Sequence, residues 1–130
     1  MQFYVKGIPT KRRPRFTKSG KAYVDAKTEE EERYIRSRYT GKKHRGPVSI
    51  RLDIFPKLPK SAAKKLECVP AMKKPDVDNV LKVFMDALQG VAFDDDKQVV
   101  HAEVVRHDMQ RIDWDYCVCT VNGVEREQTK

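Results

Sequence analysis

The sequence predicts an α/β (α+β) fold: a single compact domain with a small mixed β-sheet of about four to five strands flanked by two to three helices. Three observations carry that prediction. Val48, Ile50, Leu52 and Ile54 alternate with Ser49, Arg51, Asp53 and Phe55, the period-two pattern of a strand with one face in a core. Val80, Val83, Phe84, Ala87 and Leu88 fall instead at helical spacing and form one apolar stripe. With 130 residues, 39% of them hydrophobic, the chain can fill one core but not two.

Taken in order, Gln2 to Lys6 alternates Phe3 and Val5 with polar neighbours, a short first strand that stops at Gly7-Ile8-Pro9. The turn Lys18-Ser19-Gly20-Lys21 separates Arg15-Phe16-Thr17 from Ala22-Tyr23-Val24, which predicts a basic hairpin or extended arm. Thr28 followed by Glu31 fits a capping box, and Glu29 to Glu32 precede Arg33, Arg36 and Arg38 in the order the helix dipole favours. A helix is therefore expected from Thr28 to about Tyr39, stopped by Gly41, with a thin contact stripe of Tyr34, Ile35 and Tyr39. The strand Val48–Phe55 follows, then a proline- and lysine-rich segment to Lys74 in which Ser61 is placed to cap a short helix through Glu67. Asp78 is expected to cap the helix that carries the apolar stripe, with Gly90 in the left-handed position that ends it. Two further strands are expected, one over 98–106 with Val100, Ala102 and Val104 on one face, the other over 112–121 with Trp114, Tyr116 and Val118.

Charge divides the chain sharply. Residues 1–74 carry 21 Lys and Arg against 7 acids, whereas residues 75–130 carry 6 against 12. The first part suits a polyanion such as a phosphate backbone; the second does not, unless it holds cations. The expected organisation is thus one domain over 1–130, with a basic part at 1–74 suited to a polyanion, an acidic part with the C-terminal strands at 75–124, and a frayed tail at 125–130. No run of about 18 apolar residues is present and the N-terminus lacks a signal-peptide pattern, so no membrane association and a cytoplasmic location are expected. Cys68, Cys117 and Cys119 read as free thiols, since a zinc site on Cys117 and Cys119 would need two more ligands and only His101 and His107 offer themselves.

Six of the nineteen acidic residues lie between Asp76 and Asp96. Converging carboxylates that stay ionised repel one another unless a cation neutralises them, so a divalent metal site is one reading. In Asp76-Val77-Asp78, an extended backbone would turn both carboxylates to one side, and Asp94 to Asp96 would have to return through the fold to join them. The other reading makes Asp78 a helix cap and Asp94-Asp95-Asp96 a solvated turn; spacing alone leaves both open. An EF-hand is excluded by the missing ligand alternation, central glycine and terminal glutamate. Lys82 lies one turn after Asp78 on the same helix face, placed to neutralise a carboxylate or meet a phosphate. His44, within Lys42-Lys43-His44-Arg45, reads as phosphate-facing or solvated.

The segments Lys74-Pro-Asp-Val-Asp-Asn-Val-Leu-Lys82, Asp86-Ala87-Leu88 and Asp95-Asp96-Lys97-Gln98-Val99, together with the basic stretch Lys11-Arg12-Arg13-Pro14-Arg15, resemble the RusA family of Holliday junction resolvases, often carried by phages and prophages. Such a resemblance implies a magnesium-dependent endodeoxyribonuclease of RusA-like fold that acts as a homodimer on branched DNA, four-way junctions above all, in recombination and repair. By motif position it implies metal ligands Asp76, Asp78 and Asp96, with Asp95 the alternative to Asp96 if the register slips by one. It makes Lys82 the functional lysine beside those catalytic aspartates and Asn79 the amide that orients Asp78 or a water. The cofactor implied is Mg2+, with Mn2+ able to substitute. Phosphate contacts are expected from Lys11, Arg12, Arg13, Arg15, Lys73 and Lys74, and Phe16 or Tyr23 is a candidate for stacking on unpaired bases. Two alternatives stand beside this reading: a non-catalytic basic DNA-binding protein, and a nuclease of broader branched-DNA targets.

Overall fold

The computed structural model describes residues 1–10, 15–16, 18–20, 22–23, 26–59, 68–69 and 76–124, with 15–16, 22–23 and 68–69 described through their backbone alone. Its centre is a four-stranded mixed sheet in the order β1 (Gln2–Lys6), β8 (Tyr116–Gly123), β4 (Val48–Phe55), β6 (Val99–Arg106). β8 is antiparallel to both β1 and β4, while β4 and β6 run parallel with a register shift between Val48 and Ser49. Parallel neighbours need a crossover, and here it passes through a helix, α2 (Val77–Leu88). A second helix, α1 (Ala26–Arg38), packs beside α2, and two small hairpin-like pairs, β2 (Arg15–Phe16) with β3 (Ala22–Tyr23) and β5 (Cys68–Val69) with β7 (Met109–Gln110), complete the described elements. The expected α+β architecture is thus what the chain adopts.

The core lies between the two helices and one face of the sheet. Val48, Ile50, Leu52 and Ile54 from β4 meet Val80, Val83, Phe84, Ala87 and Leu88 from α2, all inaccessible to solvent, as their two periodicities require. Phe3, Val5, Ile35, Tyr39, Cys117, Cys119 and Val121 close the cluster. Polar ties fix the helices: Arg36 Nε donates to the Ala87 carbonyl at 3.1 Å, and Arg38 Nε to the Tyr4 carbonyl at 3.0 Å.

Four local expectations give way to packing. α1 begins at Ala26, so Thr28 is its third residue and fully buried, and the expected capping box does not set the helix start. α2 begins at Val77, which makes Asp76 the N-cap instead of Asp78. On β8 the core face is Cys117, Cys119 and Val121, not the larger Tyr116 and Val118, because the antiparallel register with β4 pairs Cys119 with Leu52 and Cys117 with Ile54. Val100 and Ala102 of β6, an edge strand, are exposed, and Val99 and Val104 pack against the core instead, the register with β4 shifting beside Val99. The short helix expected at Ser61–Glu67 lies outside the described residues.

Burial pushes the Cys117 thiol up to about 12 and raises that of Cys119 as well, so both remain protonated thiols. His107 stands on the opposite face of the sheet, hydrogen-bonded to Asp53 at 2.8 Å, which separates it from the two cysteines and removes the zinc arrangement. That open face carries a row of rings: His107 stacks on Phe55 at 4.2 Å, Phe55 on Tyr116 at 4.7 Å, and Tyr116 meets Tyr4 at 5.2 Å.

α2 ends in a tight return. Gly90 adopts φ +97 and donates to the Phe93 carbonyl at 2.6 Å, the left-handed conformation that only glycine takes without strain. A Cβ there would touch nothing, so the cost of Gly90→Ala is backbone strain alone, about 1–2 kcal/mol. Thermal unfolding should show that loss with secondary structure unchanged; a variant as stable as the parent would remove the strain argument.

Candidate metal and nucleic-acid site

Each predicted aspartate occupies a distinct structural position. Asp76 is the N-cap of α2 in an extended conformation, and its side chain makes no capping hydrogen bond; its backbone carbonyl accepts from Asn79 N at 3.1 Å. Asp78 sits in the first helical turn, exposed, where the positive end of the helix dipole favours a carboxylate. The expected strand-like alternation of the pair does not occur, because the helix begins at Val77, between the two aspartates, and residues two apart on a helix do not share a face. The two carboxylates bracket the first turn instead. Lys82, four residues after Asp78, is exposed on the same face, and Asn79 is exposed between them.

The second acidic group follows the Gly90 return. Asp94 is exposed and ion-paired with Lys43. Asp95 is the N-cap of a 3₁₀ turn, Asp96–Gln98, and its side chain accepts from Lys97 N at 3.0 Å. Asp96 opens that turn and is exposed. Gln98 holds the assembly together: its Oε1 accepts from the backbone N–H groups of Asp94 at 2.8 Å and Asp95 at 3.0 Å, while its Nε2 donates to the carbonyls of His44 at 2.9 Å and Gly46 at 3.0 Å. In the sequence Gln98 is only one letter of a motif; the structure shows a carboxamide with all four bonding directions in use.

The two acidic groups stand at opposite ends of the crossover. α2 is 12 residues long, about 18 Å at 1.5 Å per residue. Asp76 and Asp78 lie at its start, beyond the end of β4. Asp94 to Asp96 lie past its end, beside the start of β4, where Val48 pairs with Val99 and His44 bridges to Phe93. Among the described residues, no three His, Cys, Asp or Glu side chains come together as a group able to hold a metal ion. The donors are nonetheless chemically suited to magnesium, being exposed carboxylates that offer oxygen alone.

Lys11, Arg12, Arg13, Lys73 and Lys74 lie outside the described residues, as do the side chains of Arg15, Phe16 and Tyr23, so their expected DNA contacts are carried forward as proposals. The basic run around His44 lies inside them: Lys42, Lys43, His44 and Arg45, with Gly46, Pro47, Gly123 and Val124, line a cleft of about 590 Å³ that the sequence does not show. Its signal in the sequence was the four-residue basic run itself.

A family model described as Endodeoxyribonuclease RusA matches residues 6–113. No curated protein matches the chain.

Proposed function

The chain belongs to the RusA endodeoxyribonuclease family, and from that membership we propose that it resolves four-way DNA junctions as a homodimer by magnesium-dependent phosphodiester hydrolysis. The observation that carries the reading is the way the matched motifs are mounted: Asp76 and Asp78 at a helix N-terminus with Lys82 one turn on, and Asp96 on a turn fastened by Gln98. Because one chain keeps the two groups at opposite ends of α2, a second copy is the source of the missing carboxylate. Asp76 and Asp78 of one protomer and Asp96 of its partner form each metal site, and a two-fold axis makes two such sites.

Magnesium bound there supplies the Lewis-acid charge that phosphodiester hydrolysis needs. The chain's own groups do the rest. Asp76 and Asp78 hold the cation, Asn79 orients Asp78 or a water, and Lys82 brings positive charge to the phosphoryl oxygens as they gain negative charge in the transition state. Two sites on a dyad match the two symmetric strands of a junction, so paired nicks follow from the assembly.

The test is a substrate panel: four-way junction, flap, linear duplex and RNA, each with and without magnesium, and with manganese as a substitute. Junctions should be cut by paired nicks, with magnesium or manganese and not without. Equal cutting of flaps and junctions would favour a branched-DNA nuclease of broader target, and metal-independent cutting would end the carboxylate assignment.

A further inference from the structure

We propose that the cleft between the 42–47 loop and the end of β8 binds the phosphodiester backbone of the DNA strand on the Asp96 side of the site. The inference deepens the functional reading above by naming a grip that neither the family motifs nor the N-terminal basic arm supplies. Three features support it.

The cleft is held in shape on every side. Tyr39 donates its hydroxyl to the Lys42 carbonyl, His44 N donates to the Ala92 carbonyl at 2.7 Å, and Val124 N donates to the Pro47 carbonyl at 2.9 Å. Gln98 adds two bonds to the same loop from the acidic turn. Basic residues on such a loop are presented at fixed positions, which spares a ligand much of the ordering cost.

Charge is available in it. Lys43 is engaged by Asp94, but among the described residues neither Lys42 nor Arg45 has a carboxylate partner. Both are placed to meet an anion from outside. His44 adds no third charge at neutral pH, since burial, the neighbouring Lys42 and the amino terminus lower its pKa; the neutral ring remains a hydrogen-bonding group. Its ring lies against the Gly123 backbone, where even a Cβ would come within 3.1 Å of Nδ1.

Position selects the class of anion. The cleft of about 590 Å³ has room for more than a single phosphate, and Gln98 couples its wall directly to the turn that begins with Asp96. A strand whose phosphates meet Lys42 and Arg45 lies beside that carboxylate. These contacts position the strand without reading its bases.

Binding of a fluorescent four-way junction and of a linear duplex, measured over a salt series in calcium, where no cutting is expected, tests the proposal on the full chain. Replacing Lys42→Gln and Arg45→Gln together should weaken binding to both DNAs about tenfold at low salt and reduce the slope of log K against log salt by roughly 0.9 per lost phosphate contact. The charge-conserving pair Lys42→Arg and Arg45→Lys should keep the parent slope, which separates lost charge from a disturbed loop. An unchanged slope in the Gln pair, or an equal loss in the conservative pair, overturns the proposal. Cleavage of the junction by the parent protein is read separately. A parent that cuts nothing but loses its slope with the Gln pair would end the resolvase reading and leave the cleft standing; a parent that resolves junctions while the Gln pair keeps its slope would do the reverse.

Discussion

Asp76→Asn and Asp96→Asn should each abolish junction nicking when purified alone, yet co-expressed in one cell they should recover it. The reasoning is geometric. If each metal site draws Asp76 and Asp78 from one protomer and Asp96 from its partner, a mixed dimer concentrates both substitutions in one site and leaves the other intact. With random pairing, half of the dimers are mixed and each has one intact site, so about a quarter of all sites are active. The product also changes: a dimer with one working site nicks a single strand, and the junction accumulates as a nicked form instead of two resolved duplexes. Were the three carboxylates to meet within one chain, every site in a mixed dimer would lack one ligand and the mixture would be as inactive as its parts. Junction binding should survive in both single variants, since neither substitution removes a cation that faces phosphate. Recovery with paired nicks at the parent rate, or no recovery at all, would count against the shared site.

Much of the fold was legible because its largest elements obey simple periodicities. β4 alternates over eight residues and α2 keeps one stripe over twelve, so their buried faces could be named residue by residue. Gly90 was legible for a comparable reason, since a left-handed residue after a helix favours glycine. β8 was harder. Its core face is built from two cysteines and a valine while the opposite face carries Tyr116 and Val118, and size alone pointed to the wrong side; only pairing with β4 decides the matter. The candidate site was legible as residues and not as an arrangement. Asp76-Val77-Asp78 gives no local sign that the helix starts at Val77. Nothing in the spacing shows that a crossover helix places Asp96 a full helix length from Asp78. That separation depends on β4 and β6 being parallel neighbours, a property of the whole sheet.

Gln98 provides the second large effect, because a carboxamide is the one side chain of its size that can accept from two backbone N–H groups and donate to two carbonyls at once. Gln98→Ala frees all four groups. At about 1 kcal/mol for each bond, and with water able to reach part of the turn, a loss of about 2 kcal/mol is expected. Gln98→Glu is the sharper probe. Its carboxylate still accepts from Asp94 N and Asp95 N, but the oxygen that replaces Nε2 faces the carbonyls of His44 and Gly46 and repels them when ionised. Protonation restores one donor, so the folded state raises the pKa of the introduced carboxyl above the ordinary glutamate value of about 4.3. A raised folded-state pKa means that the restored bond is fully present below that value and is lost as pH rises through the higher one. The variant's thermal midpoint should therefore approach the parent's near pH 4 and fall behind it toward pH 7. A gap independent of pH would show that the two carbonyls do not meet this side chain. Nicking should suffer more than stability in both variants. The clamp fixes the backbone of Asp94 and Asp95 immediately before Asp96, and in the proposed shared site the Asp96 carboxylate depends on that backbone staying in place.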